Sequence, residues 1–116
     1  MKLKRILQLL IILIAASVLN GCSKEAMPAS NAEPGPNQVF ISNYAYNPST
    51  ISVGVNTTVT WINKDPVAHT VTSTTGIFIS GQIPQNGTYN YQFTSAGTYP
   101  YYCADHTNMK GTVVVH

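Results

Sequence analysis

Between Gln38 and His116 the chain is broken by a turn signal roughly every eight to twelve residues, and that spacing excludes most architectures before any reactive side chain is considered. The runs QVFISNYAY, STISV, TTVTWIN, HTVTS, GIFIS, GTYNYQF, GTYPYYC and GTVVV are rich in Val, Ile, Thr, Tyr and Phe. These β-branched and aromatic types suit a pleated, half-buried surface. Asn, Pro, Gly and Ser separate the runs. None carries a sustained 3.6-residue apolar repeat, so no amphipathic helix is expected. The pattern predicts an all-β domain of about eight short strands, folded as a Greek-key antiparallel β-sandwich or barrel. In GTYPYYC, period-two alternation puts Tyr99, Tyr101 and Cys103 on one face and Pro100 and Tyr102 on the other. If the tyrosines face the core, so does the thiol. Trp61 reads as a core residue, and Tyr44, Tyr46, Tyr89 and Tyr91 as ordinary strand residues.

The first third of the chain is of another kind. MKLKR followed by ILQLLIILIAASVL is a basic segment leading into an apolar one that is too short for a membrane span. Residues 1–21 are therefore expected to be an export signal. Its end, LNGC, resembles the lipobox of bacterial lipoproteins, which implies lipidation of Cys22 as the first mature residue. Asn20 is uncommon in that box, and the alternative is an ordinary signal cleaved elsewhere. Residues 22–37, with several prolines and small polar side chains, read as a flexible tether. The domain proper is residues 38–116, near the lower size at which one core sustains a fold.

Removing the signal changes the charge balance. Lys2, Lys4 and Arg5 leave with it, so Lys24, Lys64 and Lys110 face Glu25, Glu33, Asp65 and Asp105, and the formal net charge of +2 belongs to the precursor alone. No basic face remains for nucleic acid, and no amphipathic helix for a lipid surface. Membrane contact is expected only through the acyl chains of the anchor. With Cys22 acylated, Cys103 has no disulfide partner in an oxidising compartment, which makes its thiol a functional candidate.

In YPYYCADHTNMKG, Cys103, His106 and Met109 stand three residues apart. From this chain's own composition, such a match arises by chance roughly 0.001 times. Alone, Met109 would read as a core gap-filler and His106 as an exposed turn residue. Together they read as a ligand set. A thiolate and a thioether select a soft or borderline ion, and two His with one Cys in a plane plus a weak axial Met is a blue-copper arrangement. Zinc favours four stronger donors. The second imidazole must be His69 or His116. His116 lies beyond a strand that leads away from the triplet by roughly 17–20 Å, whereas His69 sits between NKDPVA and TVTS at a strand edge, so His69 is favoured.

The segments TVTWINKDPVAHTVTS, YNYQFTSAGTYPYYCADHTNM and KGTVVV resemble the plastocyanin and amicyanin group of cupredoxins, over essentially the whole domain. The C-x-x-H-x-x-M spacing resembles the short ligand loop of amicyanins. The resemblance implies one type 1 copper ion, with His69, Cys103 and His106 as equatorial ligands and Met109 as the axial one. It also implies that the backbone N–H of Thr70 donates to the sulfur of Cys103 and tunes the potential. The function implied is single-electron carriage by a monomer, without catalysis, between a donor and an acceptor redox protein in the periplasm or at the cell surface. Partners would dock briefly where the His106 ring reaches the surface, beside Pro66 and Val67. A second route through Tyr102 is known among plastocyanins with acidic patches; Asp65 and Asp105 form no such cluster, so the His106 route is expected.

Departures from the family pattern carry their own expectations. Relatives often have Asn where this chain has Thr70, so only the backbone role transfers. Amicyanin-like loops carry prolines where this one has Ala104-Asp105 and Thr107-Asn108, which leaves the loop less stiff. Asp105, next to a ligand, is expected to lower the potential if it is shielded from solvent. Asn63 is expected to organise a turn near the site. The alternative function is an extracytoplasmic copper chaperone or storage protein, although such proteins favour Met-rich or Cys-rich sites. A multicopper enzyme would need a His-Cys-His arrangement, and Tyr102 and Ala104 flank Cys103 instead.

Overall fold

A computed structural model describes residues 32–116; the expected signal (1–21), Cys22 and most of the expected tether lie outside the described residues. Among the described residues the regular structure is eight strands: β1 (Gln38–Ser42), β2 (Ala45–Asn47), β3 (Thr50–Val53), β4 (Thr57–Asn63), β5 (Thr72–Ser73), β6 (Thr88–Phe93), β7 (Gly97–Cys103) and β8 (His106–Val115). They form two four-stranded sheets, in the orders β2-β1-β4-β6 and β3-β8-β7-β5. The alternation read from the sequence fills the space between them. Val39, Ile41, Val59, Trp61 and Phe93 of the first sheet are buried, as are Ile51, Val53, Tyr101, Cys103, Val113 and Val115 of the second.

The all-β sandwich is as expected, but its sheets are mixed rather than wholly antiparallel. β1 runs parallel to β4, with Val39 opposite Trp61, and β3 runs parallel to β8, with Ile51 opposite Val113. After β2 the chain crosses to the second sheet as β3 and returns as β4 beside β1. Neighbours within a sheet are therefore not always joined by a hairpin. Alternating polarity reports which face a strand buries and is silent on the direction of its partner.

Three other boundaries differ from the sequence reading. QVFISNYAY is two strands, split at Asn43 and Tyr44, whose φ angles of 54° and 58° are both left-handed. Such a pair is what a two-residue hairpin turn of type I′ requires. GIFIS lies in a long irregular connection between β5 and β6, held by single bridges from His69 to Ile83 and from Thr72 to Ile79. Within it Phe78 and Ile83 turn into the core while Ile77 and Ile79 are exposed, so the run alternates as a strand would but its pairing ends at a single bridge. The last strand begins at His106 rather than Gly111. The ligand segment is thus the top of the β7–β8 hairpin, with a register irregularity at Tyr102/Cys103 and Cys103 opposite His106.

Trp61 is completely buried and meets Tyr101 edge to face, with ring centroids 5.5 Å apart at 85°. Tyr101 in turn lies across Gly111, its partner on β8. A Cβ at position 111 would collide with the Tyr101 Cζ and hydroxyl. The glycine is what lets this ring lie flat at the centre of the second sheet. Gly111→Ala is expected to destabilise the domain by about 1–3 kcal/mol through overpacking, read as a lower urea midpoint at unchanged slope; a wild-type midpoint would contradict this packing.

Candidate metal centre

The site is assembled at the end of the sandwich where β4 and β7 stop. Asn63, fully buried, closes β4 and organises the following loop. Its amide nitrogen donates to the carbonyls of Val67 and Ile83, each at 2.9 Å, and its side-chain oxygen accepts from the Asp65 N–H at 2.9 Å. His69 then exchanges two backbone hydrogen bonds with Ile83, at 3.1 and 2.8 Å. A buried amide with all these partners leaves the loop little freedom, so the His69 ring is delivered at a fixed point.

That ring is held from both sides. Nε2–H of His69 donates to Asp65 Oδ2 at 2.8 Å. An ionised carboxylate can only accept, so the proton sits on Nε2 and the lone pair of Nδ1 faces Cys103 Sγ, 3.8 Å away. Asp65 is itself buried and anchored, its oxygens accepting from the backbone N–H of Asn43 at 2.7 Å and of Tyr44 at 2.9 Å. Burial alone would raise its pKa, but the Tyr44 and Asn43 amides and the His69 imidazole outweigh burial and hold the carboxyl below its ordinary 3.8.

Cys103 is the last residue of β7 and fully buried. Its Sγ accepts from the Thr70 N–H at 3.4 Å and lies 3.6 Å from His106 Nδ1. The Thr70 side chain adds a tie that the resemblance did not carry over: its Oγ1 accepts from the Ala104 N–H at 2.8 Å and meets Thr72 Oγ1 at 2.9 Å. Behind it, Tyr46 donates from its hydroxyl to the Thr70 carbonyl at 2.6 Å. Burial, and then the proximity of Cys103 and Tyr101, push that phenol well above its ordinary range, so it remains a donor.

His69, Cys103 and His106 thus bring three ligand atoms within 4.8 Å of one another, and Met109, also buried, lies with them. The donor set passes a simple test of fit. An ion bonding a thiolate at about 2.3 Å and imidazole nitrogens at about 2.0 Å in a trigonal plane sets sulfur and nitrogen about 3.7 Å apart, and the two distances here are 3.8 and 3.6 Å. His116 takes no part: it is exposed, its Nδ1 faces Ser52 Oγ at 3.3 Å, and Val115 beside it pairs with Gly97 at the opposite end of the hairpin from Cys103.

The remaining candidates fall on the surface of this end. Asp105 is exposed and accepts from Gln82 Nε2 at 2.7 Å. It is therefore solvated, and the condition under which it would lower the potential is not met. The carboxylate that acts on a ligand is Asp65, which the sequence reading treated as an isolated acid. Its position four residues before a candidate ligand His was the available signal, because a ligating His commonly gives its second ring nitrogen to a carboxylate. Pro66 and Val67 are exposed and His106 is half-buried. Tyr44, half-exposed, packs on both imidazoles, a contact that its place in a strand-like run did not announce. The charged side chains of the described residues are only Glu33, Lys64, Asp65, Asp105 and Lys110, so no charge cluster surrounds the site.

The profile of the Cupredoxin-like domain family matches residues 9–115. The chain belongs to the cupredoxin-like family. Amicyanin of Paracoccus denitrificans is 34% identical over 98 residues, covering 80% of this chain and 75% of that protein. Plastocyanin of Scenedesmus fuscus is 27% identical over 88 residues, covering 60% and 85% respectively. Among solved structures, a point variant of amicyanin in its reduced Cu(I) form superposes with a TM-score of 0.67 at 32% identity, covering 82% of this cupredoxin and 95% of that chain.

In this cupredoxin, Asp65→Asn replaces one acceptor oxygen by an amide group facing donors. It is expected to destabilise the metal-free protein at neutral pH by about 1–3 kcal/mol, measured by denaturant unfolding. Because the folded pKa of Asp65 is depressed, its contribution is present above the ordinary carboxylate pKa and is lost as pH falls through the depressed value. The gap between variant and wild type should therefore close in acid; a gap independent of pH would contradict the assigned hydrogen bonds.

Proposed function

We propose that this chain carries single electrons between redox proteins outside the cytoplasm, using one type 1 copper ion held by His69, Cys103 and His106 with Met109 as a weak axial ligand. The observation that carries the reading is the approach of two imidazole nitrogens to one thiol sulfur, at 3.8 and 3.6 Å, with a thioether beside them and buried framework behind them. Bound copper supplies one-electron exchange between Cu(II) and Cu(I). What the chain supplies is resistance to movement. Asp65 fixes the His69 ring, the Thr70 N–H fixes the lone pairs of the Cys103 sulfur, and the β7–β8 pairing fixes the backbone on both sides of the turn. Two donors held in place, His69 and Cys103, favour fast exchange over tight capture of one oxidation state, which supports the carrier reading over a chaperone or store.

The half-buried His106, with Pro66 and Val67 exposed on the neighbouring loop, is the proposed docking point for donor and acceptor. Few charges flank it, so encounters rest on a small apolar contact and are brief. Export under the signal at residues 1–21, anchorage through lipid on Cys22 and residues 22–37 as the tether are part of the same reading, which rests there on the sequence alone, as does action as a monomer. Carriage without catalysis is supported by the absence of a His-Cys-His arrangement at Cys103.

Loaded with Cu(II), the mature chain is expected to show an intense thiolate-to-copper charge-transfer band and a reversible one-electron voltammogram, and Cys103→Ser to lose both. Tight Cu(I) binding without a stable coloured Cu(II) form would favour the chaperone instead. In cells fed a radiolabelled fatty acid, the wild type is expected to incorporate label and Cys22→Ser to incorporate none; an unlabelled wild type would rule out the anchor.

A further inference from the structure

Tyr44 stands where a tyrosine is costly. It is the second residue of the two-residue β1–β2 turn, at φ 58°, next to Asn43 at φ 54°. Asn is at home in such a turn, but the second position is ordinarily glycine, because a side chain in the left-handed region crowds its own backbone. The residue is also 50% exposed. Neither the turn nor the core explains the choice, and strained residues of this kind concentrate at functional sites.

The ring is nevertheless engaged. Its centroid lies 5.1 Å from the His69 imidazole at an interplanar angle of 84°, and 4.9 Å from that of His106 at 85°. The two imidazoles are 5.2 Å apart at 64°. One phenol therefore stands perpendicular to both rings and closes a cluster of three, in the geometry that aromatic quadrupoles favour. The same residue acts on His69 a second time, since its backbone N–H donates to the Asp65 oxygen that receives His69 Nε2–H.

The two histidines differ in how much other support they have. His69 is fully buried, hydrogen-bonded at both its backbone and its ring. His106 opens β8 just after the turn, is half-buried, and among the described residues its ring has no hydrogen-bond partner beyond Cys103 Sγ. The turn residues Ala104 and Asp105, and Thr107 and Asn108 after it, contain no proline to stiffen it. Packing must then orient the His106 ring, and Tyr44 is the ring packed on it.

We infer that Tyr44 is a positioning residue: it clamps the His106 imidazole against the fixed His69 and thereby retains the metal on its exposed side. The inference rests on the copper reading above. Glycine at position 44 separates the clamp from the turn, because it relieves the left-handed backbone while removing the ring.

The test compares Tyr44→Phe, Tyr44→Leu and Tyr44→Gly in the mature protein. The readouts are the rate at which excess bathocuproine disulfonate strips Cu(I), the melting temperature of the metal-free form, and the order of the His106 ring in metal-free protein by NMR relaxation. Phe keeps the ring and is expected to release Cu(I) within about twofold of the wild-type rate. Leu and Gly are expected to release it about tenfold faster, in the range that loss of a ligand's supporting partner produces. Their His106 rings should be more mobile, and the metal-free Gly variant should melt no lower than wild type. Leu and Gly variants that keep wild-type release and an ordered His106 would overturn the inference, and so would a Phe variant as leaky as Gly. Should the wild type itself hold no copper, the copper reading fails, and the ring-order measurement still decides whether Tyr44 clamps His106.

Discussion

The arrangement of this end of the molecule depends on one buried carboxylate. Asp65 accepts from two consecutive backbone amides on the β1–β2 turn and from the Nε2–H of His69. It thereby ties together a hairpin of one sheet, the loop that follows β4, and a side chain that reaches across to the thiol of the other sheet. Three donors converge on it, two of them from a turn whose backbone is left-handed at both positions. A buried acceptor with this many partners tolerates few alternatives, because any rotation of the loop would strand either a charge or its donors away from water. The tautomer of His69 follows from this contact, and with it the nitrogen that faces the sulfur.

Much of the fold was legible because its signals are local. Alternation in GTYPYYC identified the buried face of β7, with Tyr101 and Cys103, and the residue type alone identified Trp61 as core. The parallel pairings of β1 with β4 and β3 with β8 were not legible, since they depend on a chain that changes sheets between short strands. GIFIS misled for a related reason. Its composition and its alternation, with Phe78 in and Ile77 and Ile79 out, suit a strand, but its strand pairing is a single bridge from Ile79 to Thr72, and a partner is not a local signal.

At the site the same division holds. The spacing of Cys103, His106 and Met109 is a local signal, and His69 followed from the elimination of His116. Thr70, Asp65 and Tyr44 act across the fold on residues far away in the chain: Thr70 Oγ1 accepts from Ala104, Asp65 from the turn at Asn43 and Tyr44, and the Tyr44 ring packs on His106. Apart from the four-residue step from Asp65 to His69, no spacing rule announces such contacts. At the position where the sequence departs from the family pattern, the Thr70 hydroxyl ties its loop to the β7–β8 turn through the Ala104 N–H. Asp105, next in sequence to a ligand, is by contrast exposed and accepts from Gln82, so solvent weakens any action of its charge on the site.

The sparse charge of the described residues has a consequence for how such a domain meets other proteins. With Asp65 buried and Glu33, Lys64, Asp105 and Lys110 as the other charged side chains, the domain projects almost no long-range field, and dissolved ions have little to screen. Such a domain gains little from long-range attraction when it meets another protein, and has little means of telling one partner from another by charge.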